Sequence, residues 1–362
     1  MRPKAVIALL GRRHHPVDGV DDYCTYLAQG FAQEGISLEK IRVPWNHMGW
    51  RSALEALREQ ARDWHSRWVI LQYTALQWSV HGVPIRLLDV VRVLRTSGCR
   101  LAVMFHDARG YPGKRIRDRV RRALQHQVMR WLWKHAGVSV LPIPPNKAPW
   151  LPLSPSQVAL IPVGANLPIP SQKPELPKAW DRTVVVFGVT SGPRMFQEAE
   201  DIAFSVNRAA REMEVRGGRL TLRILGAGSR TVEPLLRTRL DPRIRLEVDG
   251  IVTADRLARS LSNAHVQLFV RRQISGRRGS AIAGIACGVP LVAYAGEETG
   301  FPITEAGVAT APYRDTEKLA HALSTVLTHR DLWQVLQQKN IAAYQRYFSW
   351  DVLTKQWLQV LS

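Results

Sequence analysis

Four arginines crowd into the segment Arg271-Arg-Gln-Ile-Ser-Gly-Arg-Arg-Gly-Ser280, between a predicted strand, Val266–Val270, and a predicted helix, Gly279–Cys287. Guanidinium groups offer paired donors to phosphate oxygens. The glycines allow close backbone approach, and a helix N-terminus adds free N–H groups and a favourable dipole. The segment reads as a phosphate site held by Arg277, Arg278, Gly279 and Ser280, against the alternative of a solvated basic turn. Gly19 offers a second anion position, because it ends the loop Gly11–Gly19 just ahead of a predicted helix. A plain turn residue would look the same. His106 directly follows the apolar run Leu101–Phe105 and precedes Asp107. An imidazole at the carboxyl end of a strand, beside a carboxylate, is placed to donate or accept a proton. The competing reading is a loop histidine bonded to backbone.

Other chemistries lack their residues. No two aspartates are spaced Asp-x-Asp, and there is no Walker A loop, no GxSxG elbow and no Cys/His metal spacing. Gly226-Ala-Gly228 is too short for a dinucleotide fingerprint. Neither a metal nor a cofactor is therefore expected.

These residues need strands and helices to position them. Short, almost wholly apolar runs alternate with amphipathic stretches, the pattern of a parallel sheet covered on both faces. In the first half the runs are Ala5–Leu10, Ile41–Pro44, Trp68–Tyr73, Leu101–Phe105, Val138–Pro142 and Val158–Pro162. Residues 167–178, half proline or lysine, read as a linker. The alternation restarts at Thr183–Phe187 and continues through Leu220–Leu225, Ile244–Val248, Val266–Val270 and Pro290–Tyr294, with helices closing the chain from about Thr316.

The chain has 362 residues, 46% of them hydrophobic, which is globular and about two domains long. No apolar run approaches the ~20 residues of a membrane span. Three distant cysteines fit a reducing cytosol and not a disulfide scaffold. The net charge of +20 is a statement about partners: nucleic acid, anionic lipid or a phosphorylated substrate. Arginine-rich codon usage is the bland alternative. No aromatic-basic platform or nucleic-acid motif accompanies the charge, so specific nucleic-acid binding is not expected. Twelve tryptophans point to interfaces. The basic stretch 114–134, ending in Trp131 and Trp133, could lie on an anionic membrane or pack on the sheet with its charged face in water.

The order of motifs resembles the GT-B glycosyltransferases, most closely glycosyltransferase family 4, nearly end to end. Asp18-Gly-Val20 is similar to the family's Gly-Gly-Val loop, and Val69–Thr74 to its "VVHIQY" strand. Val103-Met-Phe-His-Asp107 resembles "VTFHE", and Val158–Asn166 resembles "VxVIPVGSN". Phe187-Gly188 is similar to "FGR", Leu225–Gly228 to "VGDGP", and Asp249-Gly250 to "TGY". Ala283–Pro290 resembles "EAMACGVP", and Phe348-Ser-Trp350 resembles "FSW". Two departures stand out. The family's pair of donor-site glutamates falls on Ser275 and Ala283, and its basic residue on the first loop of the second domain has only Arg194 as a counterpart.

The resemblance implies an α/β, GT-B fold of two Rossmann-like doubly wound domains facing across a cleft. Residues 1–170 would form the acceptor-side domain and 181–340 the nucleotide-sugar domain, with 341–362 a helix packing back towards the first. It implies a metal-independent, retaining transfer of a sugar from a nucleotide-diphosphate sugar to a glycan, lipid-linked or other hydroxyl acceptor, as in cell-envelope polysaccharide synthesis. Arg277, Arg278, Gly279, Ser280 and Gly19 would hold the donor diphosphate, with Arg194 and Ser275 as further donor contacts. His106 would be the catalytic residue on the acceptor side. The expected location is the cytoplasm, peripheral on the inner face of the membrane. The alternative is a catalytically degenerate GT-B module that binds polyanions or a membrane surface.

Overall fold

The computed structural model describes residues 3–14, 16–113, 115–190 and 192–362. The chain divides into two units: the first runs to Pro162 and includes Trp350–Ser362, and the second is Val163–Ser349. The 167–178 stretch thus belongs to the second unit.

In the first unit the order is β1 (Ala5–Leu10), α1 (Gly19–Gln33), β2 (Ser37–Arg42), α2 (Trp45–Ala61), β3 (Trp68–Tyr73), α3 (Leu87–Thr96), β4 (Arg100–Phe105), α4 (Ile116–His135), β5 (Val138–Leu141) and β6 (Val158–Leu160). The second unit contains β7 (Arg182–Phe187), α5 (Arg194–Val215), β8 (Leu220–Leu225), α6 (Ser229–Arg237), β9 (Arg245–Gly250), α7 (Ala254–Ser262), β10 (Val266–Gln273), α8 (Gly279–Cys287), β11 (Leu291–Ala295), β12 (Val308–Pro312), α9 (Thr316–Thr328) and α10 (Arg330–Ala343). The last helix, α11 (Trp350–Val360), returns to the first unit.

Among the described residues these strands form two six-stranded sheets, ordered β2-β1-β3-β4-β5-β6 and β12-β11-β10-β7-β8-β9. Every neighbouring pair is parallel. Counted from β7, the second sheet has the strand order of a doubly wound nucleotide-binding fold, and its order reverses between β7 and β10. In the first sheet the reversal falls between β1 and β3. The central strands β1 and β3 are buried from Val6 to Leu10 and throughout, as helices on both faces require. The sequence pattern misses β12, because its Val-Ala-Thr-Ala-Pro run is an edge strand with only Ala311 buried.

Several of the tryptophans serve the interior. Trp78, Trp150, Trp333 and Trp357 are fully buried. Each indole N–H finds an acceptor inside: the carbonyls of Gln72 at 2.8 Å, Ala108 at 2.7 Å and His265 at 2.6 Å, and the Tyr23 hydroxyl at 2.7 Å. A large apolar body is thereby buried without stranding its donor.

The last of these bonds fastens the C-terminus. Leu353, Thr354, Trp357 and Leu358 are the buried face of α11. Helix α1 meets it with Tyr23, Leu27 and Gly30, where a Cβ would collide with the Thr354 hydroxyl. Trp350 stacks on Tyr26 with ring centroids 5.9 Å apart. Trp357→Ala should therefore cost about 3–5 kcal/mol, read as a lowered unfolding midpoint in denaturant. Trp357→Phe should lose less, because it keeps the packing and strands only the Tyr23 hydroxyl. Equal midpoints for wild type and the alanine variant would show that α11 is not needed by the first unit.

Candidate functional site

In the first unit, β4 delivers His106 to its carboxyl end. The His106 Nε2 meets Oε1 of Gln72 at 2.8 Å, while the Gln72 amide nitrogen donates to the Ile70 carbonyl at 3.4 Å. That second bond orients the amide so that its oxygen faces the ring. Nε2 therefore carries the proton, and Nδ1 is left with its lone pair. Tyr23 sits edge-on to the ring at 5.1 Å. Burial pushes the His106 pKa down to about 4, opposed by the Asp18 charge. At neutral pH the ring is an uncharged hydrogen-bonding group and a weak base.

Gly19 opens α1, but its helix N-terminus already has an anion. Asp18, the N-cap, accepts from the amides of Val20 and Asp21, each at 3.2 Å, and from the His14 amide at 3.3 Å. Arg42 pairs with the same carboxylate at 3.3 Å. A Cβ on Gly19 would meet nothing within 4 Å.

The other predicted residues lie in the second unit, at the carboxyl end of β10. Arg277 grips Glu298 with two bonds of 2.8 Å, and Arg278 reaches the same carboxylate at 3.4 Å. Ser275 is fully buried and its hydroxyl donates to Glu298 at 3.4 Å. The Glu298 amide is held by the Gln273 side chain at 3.1 Å. The two arginine side chains are 16% and 17% exposed, so this is a partly buried, ordered ion cluster and not a solvated turn. Helix α8 starts beside it at Gly279. Its N-cap, Arg278, makes no side-chain cap. A Cβ on Gly279 would meet nothing within 4 Å. Ala283 lies buried in that helix.

Arg194 is exposed at the start of α5, and its charge acts on Glu198, which is 4% exposed and accepts from the Thr190 amide at 2.7 Å. Burial pushes the Glu198 pKa up. Ser191, in the same loop, lies outside the described residues. The structure thus gathers Arg277, Arg278, Ser275, Gly279 and Ser280 beyond the end of one strand, and places Arg194 at the start of α5 and Gly19 and His106 in the other unit. Sequence reasoning missed Glu198 and Glu298. The Glu297-Glu298 doublet at the carboxyl end of β11, in so basic a chain, was the available signal. Among the described residues, no three His, Cys, Asp or Glu side chains converge to hold a metal ion.

Comparison with solved structures places this architecture. HepE of Anabaena, solved with UDP and glucose, matches with a TM-score of 0.65 over 99% of both chains at 12% identity. Sucrose-phosphate synthase of Thermosynechococcus elongatus matches with a TM-score of 0.69 over 99% of this chain and 98% of that one, at 17% identity. The fold is GT-B. A GT-B likeness also extends to a putative UDP-N-acetylglucosamine 2-epimerase of Listeria monocytogenes, with a TM-score of 0.58 over 97% of this chain and 94% of that one, at 11% identity. No protein-family model matches the chain, and no curated protein does.

The geometry at His106 has a measurable consequence. Its ring should stay neutral, in the Nε2–H form, down to a titration midpoint of about 4, followed by ¹⁵N-detected NMR on the folded protein. Gln72→Leu should disturb that tautomer. A midpoint near the ordinary 6.5 would contradict the buried, Gln72-bound ring.

Proposed function

We propose that this protein is a glycosyltransferase, similar to family 4 of the GT-B enzymes, that uses a nucleotide-diphosphate sugar without a metal ion and retains anomeric configuration. The single observation that supports it best lies in the second unit: a Rossmann-order sheet whose β10 ends in an arginine pair feeding the uncapped N-terminus of α8. Ligands of open α/β sheets bind outside the carboxyl ends of the strands. Arg277, Arg278 and the amides of Gly279 and Ser280 would receive the diphosphate, with Arg194 and Ser275 as further donor contacts. Donors fixed in advance stabilise the charge that develops on a leaving diphosphate, which is where such a reaction needs help. HepE was solved with UDP and glucose, and MnaA of S. aureus with UDP, which agrees with a nucleotide-binding role. The positions of Ser275 and Ala283 carry no carboxylate; Glu298 brings one against Ser275 from the loop after β11.

His106 would serve on the acceptor side as a neutral hydrogen-bond partner to a sugar hydroxyl. The acceptor is a glycan or lipid-linked hydroxyl, met at the cytoplasmic face of the membrane. Among the described residues no helix is long and apolar enough to cross a bilayer. The outward face of α4 suits docking to one. Its buried face is Asp118, Gln125, Val128, Met129 and Leu132. On the opposite side Ile116, Val120 and Leu124 stand 80%, 54% and 40% exposed at four-residue spacing. Exposed Arg117, Arg119, Arg130 and Lys134 flank them, and the one acidic residue of the helix, Asp118, is turned inward. The two tryptophans expected at the lipid are engaged by the protein: Trp131 packs on the core and Trp133 donates to the Ser156 carbonyl at 3.0 Å. Lys114 lies outside the described residues.

Three experiments test this reading. Nucleoside diphosphates and their parent nucleosides are compared by calorimetry on wild type and the Arg277→Ala, Arg278→Ala double variant. Charged hydrogen bonds contribute on the order of 1.5–3 kcal/mol each. The double variant should weaken the diphosphate roughly a hundredfold and leave the nucleoside unaffected. An unchanged diphosphate affinity removes the support of the arginine pair. Sugar transfer from a panel of nucleotide-diphosphate sugars is then assayed, and binding without turnover would favour the degenerate module. For the membrane, co-sedimentation with phosphatidylcholine vesicles should rise when phosphatidylglycerol is added and fall with salt. Serine at 116, 120 and 124 together should abolish it. Binding indifferent to lipid charge rules the docking out.

A further inference from the structure

The strand order of the second unit reverses between β7 and β10, and there the backbone departs from regular pairing. Along β10 and β11, Phe269 pairs with Ala293, but the next pair is Gln273 with Tyr294. Residues 270–272 therefore bulge from the ladder, with Arg272 held at φ 60°. The left-handed region is disfavoured for a non-glycine residue, and bulges of this kind re-aim side chains next to functional sites. The side chain re-aimed here belongs to Arg271. A Cβ on Gly188, the first residue after β7, would stand 3.1 Å from Nη1 of Arg271. Gly188 sits at φ 78°, and the neighbouring Gly226 would place a Cβ 3.4 Å from the Gly188 amide nitrogen. The ends of β7, β8 and β10 thus converge as bare backbone with one guanidinium lying on it.

Arginines outnumber carboxylates there. Arg277 and Arg278 are committed to Glu298. Glu198, buried and bound to the Thr190 amide, feels the charges of Arg271 and Arg194 at longer range. Among the described residues no acceptor makes a hydrogen bond to the Arg271 guanidinium. Its burial disfavours the charged form, and the charge of Glu198 acts in the opposite direction. A second anion would satisfy it.

We propose that Arg271 is a phosphate-contacting residue, its guanidinium receiving the diphosphate of a nucleotide at the β7–β10 crevice, with Glu198 as its positioning counter-charge. This rests on the nucleotide-sugar reading above and assigns the site a cation which that reading leaves unused.

The test uses the full chain and UDP, GDP, ADP, dTDP and inorganic pyrophosphate as probes, each nucleotide paired with its nucleoside. Affinities are measured by calorimetry and melting by differential scanning. Arg271→Gln should weaken the diphosphate that wild type binds by roughly ten- to a hundredfold, with the nucleoside unchanged. Arg271→Lys keeps the charge but loses the forked donor; it should recover part of the loss and guards against a misfolded glutamine variant. If either variant folds and binds the diphosphate as wild type does, Arg271 only braces Glu198 and the Gly188 loop, and the proposal is overturned. If wild type binds no probe, the nucleotide-sugar reading falls first and this one with it.

Discussion

A guanidinium taken out of water must meet negative charge, and the second unit is arranged around that constraint. Desolvating an ion costs several kcal/mol, which only a close and well-oriented partner returns. Glu298 answers Arg277 and Arg278 at hydrogen-bond distance, while Glu198 meets Arg271 and Arg194 only through longer-range charge. Glu298 comes from the loop after β11 and its two arginines from the loop after β10. The ion cluster on Glu298 therefore ties the loop after β10 to the loop after β11 and fixes the two arginine side chains.

The two units treat their helix N-termini in opposite ways. Helix α1 carries its own anion, because Asp18 caps it and is paired with Arg42. Helix α8 has an arginine in the cap position and no side-chain cap. One end is electrostatically closed and the other open. The contrast is local chemistry: aspartate is a strong N-cap and arginine offers no acceptor at all.

Most of the architecture was legible in the sequence because buried parallel strands write themselves as apolar runs. β1, β3, β4, β7 and β8 stand within a residue or so of where those runs fall. What escaped was of two kinds. The edge strand β12 is short and alanine-rich, so nothing in its pattern separates it from a loop. The partners of the site residues were invisible because they depend on which strands become neighbours. Arg277 and Glu298 are 21 residues apart, and only the adjacency of β10 and β11 brings them together. Gln72 was hidden in the same way: as one polar residue in the apolar run of β3 it looked incidental, yet the neighbouring strand β4 turns it into the group that fixes the His106 tautomer. The tryptophan count alone does not decide, since composition cannot tell an indole at a surface from one whose N–H is satisfied within.

The return of α11 to the first unit has a consequence for how the protein comes into being. The Trp357–Tyr23 bond joins residues 334 positions apart. A ribosome delivers the chain from the N-terminus onwards, so the second unit, Val163–Ser349, emerges whole before the first has received its last helix. Until then the face of α1 that α11 will cover stays open to the cell. The earlier-made half of the protein is the later one to be finished, and a nascent chain interrupted near its end would carry a complete nucleotide-type sheet on an unsealed neighbour.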